Sequence, residues 1–383
     1  MKMKAAVYYG LRDIRVEEID VPPLEATDVL VKVKASGICG SDLHGYRKGL
    51  YVRPGWVMGH EYSGEVVEVG SKVEDIKVGD QVVPHGRVHE EACGQCYWCS
   101  KGQPQWCASL ARRPCGKCEY CTSGQFFLCT ELARSQAIGY GRYGAYAEYV
   151  RVVDATLGQN IFRLPDELSY EEGAIVEPLS GSIWWAGLGE PKAGDMAVVL
   201  GAGTIGLCVM QFLKQLVSKV IVTEVSERRL AAARELGADV VINAAKEDAL
   251  QRVVEETGVG RSYSGRGGAI ADIVVDCAGT PITFQQSLEM ARSGGRIVLV
   301  ALYEEPVMIN PTTIVLKDLR IISSYAGRVQ ETHSQMAEAI ELMRKGEIKG
   351  KPLVSHEFPL EKIMEAFETQ VNTNESIKVL VKP

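Results

Sequence analysis

The chain has 383 residues, 46% of them hydrophobic, and a formal net charge of −7. That length exceeds what one hydrophobic core usually serves, so two domains are expected, and the hydrophobic share excludes a disordered chain. The acidic balance, without any block of Lys and Arg, leaves no surface suited to nucleic acid or anionic membrane.

Residues 5–9, 29–35 and 65–69 are short β-prone runs, separated by Pro22-Pro23, Gly59, Gly70 and Gly79-Asp80, so the first third reads as β-rich. Met1 to Asp13 has no apolar core of signal-peptide length. The charge-free run 196–213 is divided by Gly201, Gly203 and Gly206. A strand followed by a helix explains it better than a membrane span. The expectation is a cytoplasmic protein with no membrane or nucleic-acid partner. From Asp195 the rhythm becomes strand, helix, strand, helix: strands at 197–200, 220–223 and 240–242, helices at 204–216 and 226–236. Residues 273–276, 297–301 and 319–323 read as further parallel strands. This predicts a doubly wound α/β sheet with helices on both faces. Residues 258–268 read as a glycine-rich loop. The tail holds a helix at 334–345 and a strand at 377–381, expected to return to the first domain. The resulting division is 1–177, 178–325 and 326–383.

Gly201-Ala202-Gly203-Thr204-Ile205-Gly206 follows an apolar strand and opens a helix. Gly201 permits the tight turn, Gly203 lets backbone approach a pyrophosphate, and Gly206 allows close helix–strand packing. The helix N-terminus, with the N–H groups of Thr204 and Ile205, then offers free donors and a positive dipole end. Glu224 closes the second strand about 20 residues on, where a carboxylate accepts the ribose hydroxyls. It would repel a 2′-phosphate, which favours NAD over NADP. Arg228 and Arg229 lie just behind it and keep NADP as a secondary cofactor. The rival reading of Glu224 is an ordinary strand-end carboxylate.

Cys39, His60, Glu61 and Glu177 are the donor types a catalytic Zn²⁺ uses while keeping one position open. Each has a plainer reading alone: a small core residue beside glycine, or a helix-start residue before Pro178. No spacing rule joins them. Eleven cysteines are present, eight of them between Cys93 and Cys129. Cys93, Cys96, Cys99 and Cys107 share one spacing, and Cys115, Cys118, Cys121 and Cys129 repeat it. Four thiolates on one short loop make a closed structural zinc site. Paired [4Fe–4S] clusters are the rival, but no ferredoxin-like Cys-Pro ending follows.

These segments (Gly37–Asp42 with His44, Gly59–Val66, the cysteine lobe, Val176–Ser180 and the nucleotide fingerprint) resemble the zinc-containing medium-chain alcohol dehydrogenase family, in its sorbitol and butanediol dehydrogenase branch. The resemblance runs almost the whole chain, to Ile377-Lys378-Val379. It implies a GroES-like catalytic domain beside a Rossmann domain, and NAD-linked oxidation of a secondary alcohol, diol or polyol to the ketone. L-threonine 3-dehydrogenase-like oxidation and a non-enzymatic zinc or redox-sensing protein are the alternatives. By resemblance Cys39 and His60 ligate zinc, Glu61 and Glu177 complete the sphere, and Asp42 orients His60. Ser41 and His44 match the proton relay, with Ser41 taking the substrate proton and His44 passing it to solvent. Arg229 and Lys378 join the cofactor-binding residues. The family carries one cysteine lobe, so the second is a departure and allows one or two structural zinc ions. Trp184-Trp185 is another departure, narrowing the pocket. Relatives form dimers and tetramers, so a homodimer or homotetramer is expected.

Overall fold

The computed structural model describes residues 1–50, 52–85, 143–261, 267–323 and 329–383. Both cysteine quartets lie outside them. The β-rich half carries β1 (Lys2–Gly10), β2 (Asp13–Asp20), β3 (Val29–Gly37), α1 (Gly40–Lys48), β4 (Trp56–Val57), β5 (Glu61–Val69), β6 (Gln81–Pro84), β7 (Tyr149–Val152) and β8 (Ile161–Arg163). Helices α2 (Tyr170–Gly173) and α3 (Val176–Leu188) lead into the second half. That half runs β9 (Met196–Leu200), α4 (Thr204–Leu213), β10 (Lys219–Glu224), α5 (Glu227–Glu235), β11 (Val240–Asn243) and α6 (Ala249–Thr257). It continues through β12 (Gly260–Arg261), β13 (Gly267–Gly268), β14 (Ala271–Asp276), α7 (Pro281–Met290), β15 (Ala291–Leu299), α8 (Pro311–Lys317) and β16 (Arg320–Ser323). The closing elements are α9 (Val329–Arg344), β17 (Val354–Pro359), α10 (Ile363–Val371) and β18 (Lys378–Lys382).

Strands β11-β10-β9-β14-β15-β16 form one sheet in which every pair is parallel. This order reverses direction at β9, the arrangement that opens a dinucleotide crevice at the strand ends. Its central strands read as apolar runs because helices cover both faces. Val198, Val199 and Leu200 of β9 and Val220, Ile221 and Val222 of β10 are all fully buried. Strands β17-β18-β3-β5-β6-β8 form a second sheet, with β7 also on β3, and β2-β1-β4 a third. The pairing of β18 with β3 is antiparallel, Leu380 opposite Gly37 and Val381 opposite Ser36.

Helix α3 belongs to both halves. Its Val176, Leu179 and Ile183 share one core with Val83, Phe162 and Leu164 on one side and Val199, Leu207 and Met210 on the other. A boundary between residues 177 and 178 therefore falls inside the first turn of this helix, and one at 325/326 lies outside the described residues. Helix α4 ends at Leu213, earlier than the apolar pattern predicts, because residues 215 and 216 turn to three-residue hydrogen bonds. Strand β15 ends at Leu299, where the N–H groups of Val300 and Ala301 turn towards the Asp276 carbonyl. The segment expected as a glycine loop carries the small antiparallel pair β12 and β13.

Candidate functional site

Cys39 is the N-cap of α1, and the helix cap is made by Asp42, whose Oδ2 accepts the Cys39 N–H at 3.0 Å. Glu61 begins β5, with His60 immediately before it, directly opposite the end of β3, where Glu61 pairs with Gly37. The turn between β3 and α1 is thus brought against the start of β5 by sheet register. The result is one cluster: ligand atoms of Cys39, His60 and Glu61 all lie within 4.8 Å of one another, with His60 and Glu61 buried. A tetrahedral zinc with bonds of ~2.0–2.3 Å holds its donors about 3.3–3.8 Å apart, so a thiolate, an imidazole and a carboxylate at this spacing fit the ion. Glu177 lies half-buried in the first turn of α3, which packs against β5, and is not among those three mutually close residues.

The buried Asp42 carboxylate organises the imidazole. His60 Nδ1 lies 3.6 Å from Asp42 Oδ1, and the Tyr146 hydroxyl donates to Asp42 Oδ2 at 2.7 Å and reaches the Gly37 carbonyl at 3.0 Å. Burial would push the Asp42 carboxyl up, but His60, the Cys39 N–H and the Tyr146 hydroxyl reverse this and hold it below its ordinary value. The carboxylate therefore stays ionised, as a group orienting a ligand imidazole must.

Lys378 stands on the other side of Glu61. Its ammonium, on β18, is buried, pairs with Glu61 Oε2 and donates to the Ile38 carbonyl at 3.0 Å. Burial pulls its pKa down, yet the charges of Glu61 and Cys39 more than offset this and raise it above the ordinary value. The structure thus places Lys378 at the donor cluster. Tyr146 and this role of Lys378 had no motif to announce them. The one signal was a lone Lys entering the apolar run of β18, whose first four residues are all buried.

The nucleotide turn is built as the fingerprint requires. Gly201 adopts φ +92°, and a Cβ on Gly206 would overlap the Gly201 carbonyl oxygen. Thr204 and Ile205 open α4, and the Thr204 hydroxyl donates to the Ile377 carbonyl at 3.0 Å. Glu224 Oε2 accepts the Ala202 N–H at 2.9 Å, while Oε1 accepts Val225 N–H at 2.6 Å and Ser226 N–H at 3.1 Å. Three of about four lone-pair positions are then taken, which leaves room for one further donor. Arg229 flanks this carboxylate at 3.8 Å and donates to the Ser376 carbonyl at 2.9 Å.

Ser41 and His44 share α1 with Cys39, and both are partly exposed. Trp184 and Trp185 are half-buried on α3, the helix that also carries Glu177.

Residues 25–113 match the family model described as alcohol dehydrogenase GroES-like domain, and residues 204–345 match that described as zinc-binding dehydrogenase. The chain belongs to the zinc-binding alcohol dehydrogenase family. It is 31% identical to a sorbitol dehydrogenase of Bacillus subtilis, over 100% of this chain and 97% of that protein. It is 32% identical to the (R,R)-butanediol dehydrogenase of the same organism, with 100% of both chains covered. An L-threonine 3-dehydrogenase of Bacillus subtilis is also 32% identical, over 96% of this chain and 94% of that protein. Among solved structures, 2R,3R-butanediol dehydrogenase from Bacillus subtilis superposes with a TM-score of 0.78 at 31% identity, covering 100% of this chain and 99% of that one. A zinc-binding dehydrogenase from Sinorhizobium meliloti bound to NADP gives a TM-score of 0.77 at 29% identity, with 100% of both chains covered. An Escherichia coli alcohol dehydrogenase complexed with NADH gives 0.78 at 29%, covering 100% of this chain and 99% of that one. The protein is accordingly a zinc-dependent oxidoreductase of alcohols that uses a nicotinamide dinucleotide. Among the described residues no helix is long and apolar enough to cross a membrane.

Proposed function

We propose that this protein oxidises a diol or polyol to the hydroxyketone with NAD, reversibly, at the cluster formed by Cys39, His60 and Glu61. The observation that carries this reading is the convergence of those three donors within 4.8 Å. The names of the sorbitol and butanediol dehydrogenases matched along their whole length support the substrate class. Cys39, His60 and Glu61 would hold the catalytic zinc, with Glu177 as a further carboxylate. Bound there, the ion supplies a Lewis acid that lowers the pKa of an alcohol towards neutrality.

The chain's own residues do the rest. Asp42 keeps the His60 ring oriented, and Lys378 holds the Glu61 carboxylate. Ser41 accepts the substrate hydroxyl proton and His44 passes it to solvent. The Gly201–Gly206 turn and the N–H groups of Thr204 and Ile205 receive the pyrophosphate. Glu224 accepts a ribose hydroxyl at its remaining lone pair, which disfavours a 2′-phosphate, with Arg229 closing that side of the site.

Purified protein offered NAD with vicinal diols, polyols, simple secondary alcohols and L-threonine tests the proposal by NADH formation. Fastest turnover on a diol or polyol is expected. Preference for L-threonine would move the assignment to the amino-alcohol oxidation named by another relative. No NADH with any alcohol would overturn it.

The same reading assigns two structural zinc ions to the quartets Cys93, Cys96, Cys99, Cys107 and Cys115, Cys118, Cys121, Cys129. Metal analysis should then find three zinc ions per chain, and Cys118→Ser should remove one. A homodimer or homotetramer is also proposed. Its support is the exposed apolar set Ile282, Leu302, Met308, Ile309, Val315 and Leu316 on the segments flanking β15 and leading to the edge strand β16. Sedimentation as a monomer would remove that part. The cytoplasm, whose reducing conditions keep cysteines available to metal, is the proposed location.

A further inference from the structure

We propose that Glu304 is a positioning residue for the proton relay, reaching from the nucleotide-binding half to orient His44 in the catalytic half. The proposal rests on the relay reading of Ser41 and His44 given above.

Helix α1 presents His44 and Lys48 one turn apart on one face. Glu304 comes from the other half, on the segment between β15 and α8. Its Oε1 lies 3.2 Å from His44 Nδ1, and its Oε2 accepts from Lys48 Nζ at 2.7 Å. With its two oxygens engaged by two residues of one helix, the carboxylate has a set orientation rather than the loose one of a single surface pair. Its backbone is anchored as well. The hydroxyl of neighbouring Tyr303 donates to Asp276 Oδ2 at 2.5 Å, and its ring meets Phe284 edge-on at 6.0 Å. Asp276 is itself fully buried at the end of β14, with Oδ1 accepting the N–H groups of Ala278 and Gly279 at 3.0 Å each.

The chemistry follows from protonation. The Lys48 hydrogen bond holds the Glu304 carboxyl below its ordinary value, so it is an acceptor only. His44 must then carry its neutral-state proton on Nδ1, which leaves the Nε2 lone pair to receive the proton coming from Ser41. Alcohol oxidation releases one hydride to the nicotinamide and one proton. That proton forms the imidazolium at Nε2, beside a carboxylate that offsets its charge, and then leaves from Nε2 to water. The Nδ1–H tautomer is restored without ring rotation. Burial pulls the His44 pKa down, Glu304 pushes it up, and Lys48 and Arg47 on its own helix pull it down. Removing Glu304 therefore lowers it.

Because Glu304 and His44 stand on different halves, the relay is aligned only while the halves hold this relative position. A plain surface ion pair would anchor the loop and do nothing to proton transfer.

The test compares the parent enzyme with Glu304→Ala, Glu304→Gln and His44→Ala, each checked for an unchanged melting temperature. Glu304→Ala should lower kcat about tenfold, shift the acid limb of the kcat profile to lower pH and leave the KM for NAD within about twofold. Glu304→Gln keeps an acceptor for Nδ1–H but not the charge, so it should recover most of kcat while retaining the shifted limb. An unchanged kcat and acid limb in Glu304→Ala, with kcat reduced in His44→Ala, would overturn the positioning role alone. Parent-like kcat and pH profile in His44→Ala would instead overturn the relay reading on which it rests. Should Glu304→Ala melt lower, the limb in Glu304→Gln decides: unmoved, it sinks the proposal.

Discussion

The two halves of this enzyme place their working residues in opposite ways. In the nucleotide half they follow one another along the chain: Gly201 to Gly206 form a single turn, and Glu224 ends the adjacent strand, close enough to accept the Ala202 N–H at 2.9 Å. In the catalytic half Cys39, Glu61 and Lys378 meet only because β5 and β18 both lie against β3. A local site survives so long as its strand and helix form. A site gathered by sheet register depends on every neighbour being in place, and it concentrates buried charge at the meeting point.

The contrast predicts that damage to each half stays in that half. The largest effect belongs to the donors: Cys39→Ser or His60→Ala should cut turnover about a thousandfold or more while NAD binding, measured by titration, stays near the parent value. Matching losses in NAD affinity would show that the halves are not separable. Next is Lys378→Met, which leaves Glu61 without its buried ammonium. Losing one partner of such a pair costs about 3–5 kcal/mol, readable as a lower denaturant midpoint. A change below about 1 kcal/mol would mean that water or metal already shields Glu61. On the nucleotide side Gly206→Ala forces a methyl onto the Gly201 carbonyl oxygen. It should weaken NAD by about 1–3 kcal/mol and spare zinc content. The smallest change is Glu224→Ala, expected to weaken NAD about tenfold and to narrow its advantage over NADP. Parent enzyme that already prefers NADP would refute the reading of Glu224.

The same division governs what could be read beforehand. Strands β9, β10 and β14 were legible because burial on both faces writes an unbroken apolar run, and the Gly201 turn because its backbone geometry demands glycine. Of the catalytic cluster, the donor types were recognisable but not their meeting, since no periodicity links Cys39 to Glu61. The resemblance to a family supplied that link. Lys378 was expected at the cofactor; the contacts its ammonium makes with Glu61 and the Ile38 carbonyl, set by the β18–β3 pairing, were not legible in the sequence. Tyr146 meets Asp42, and Glu304 meets His44 and Lys48, through terminal polar atoms of residues far apart in the chain, which leave no trace in composition or spacing. Helix α9 starts at Val329, before the expected residue 334.

The placement of β18 also has a bearing on how the protein is made. Lys378 donates to the carbonyl of Ile38, a residue 340 positions earlier in the chain. Glu61 lies 317 positions before Lys378, so at about 5–20 residues per second of synthesis the strand bearing it waits on the order of 16–63 s for its cation. The nucleotide half can complete its six strands in the meantime, since none is borrowed from elsewhere. The catalytic half begins to emerge from the ribosome first and becomes whole last.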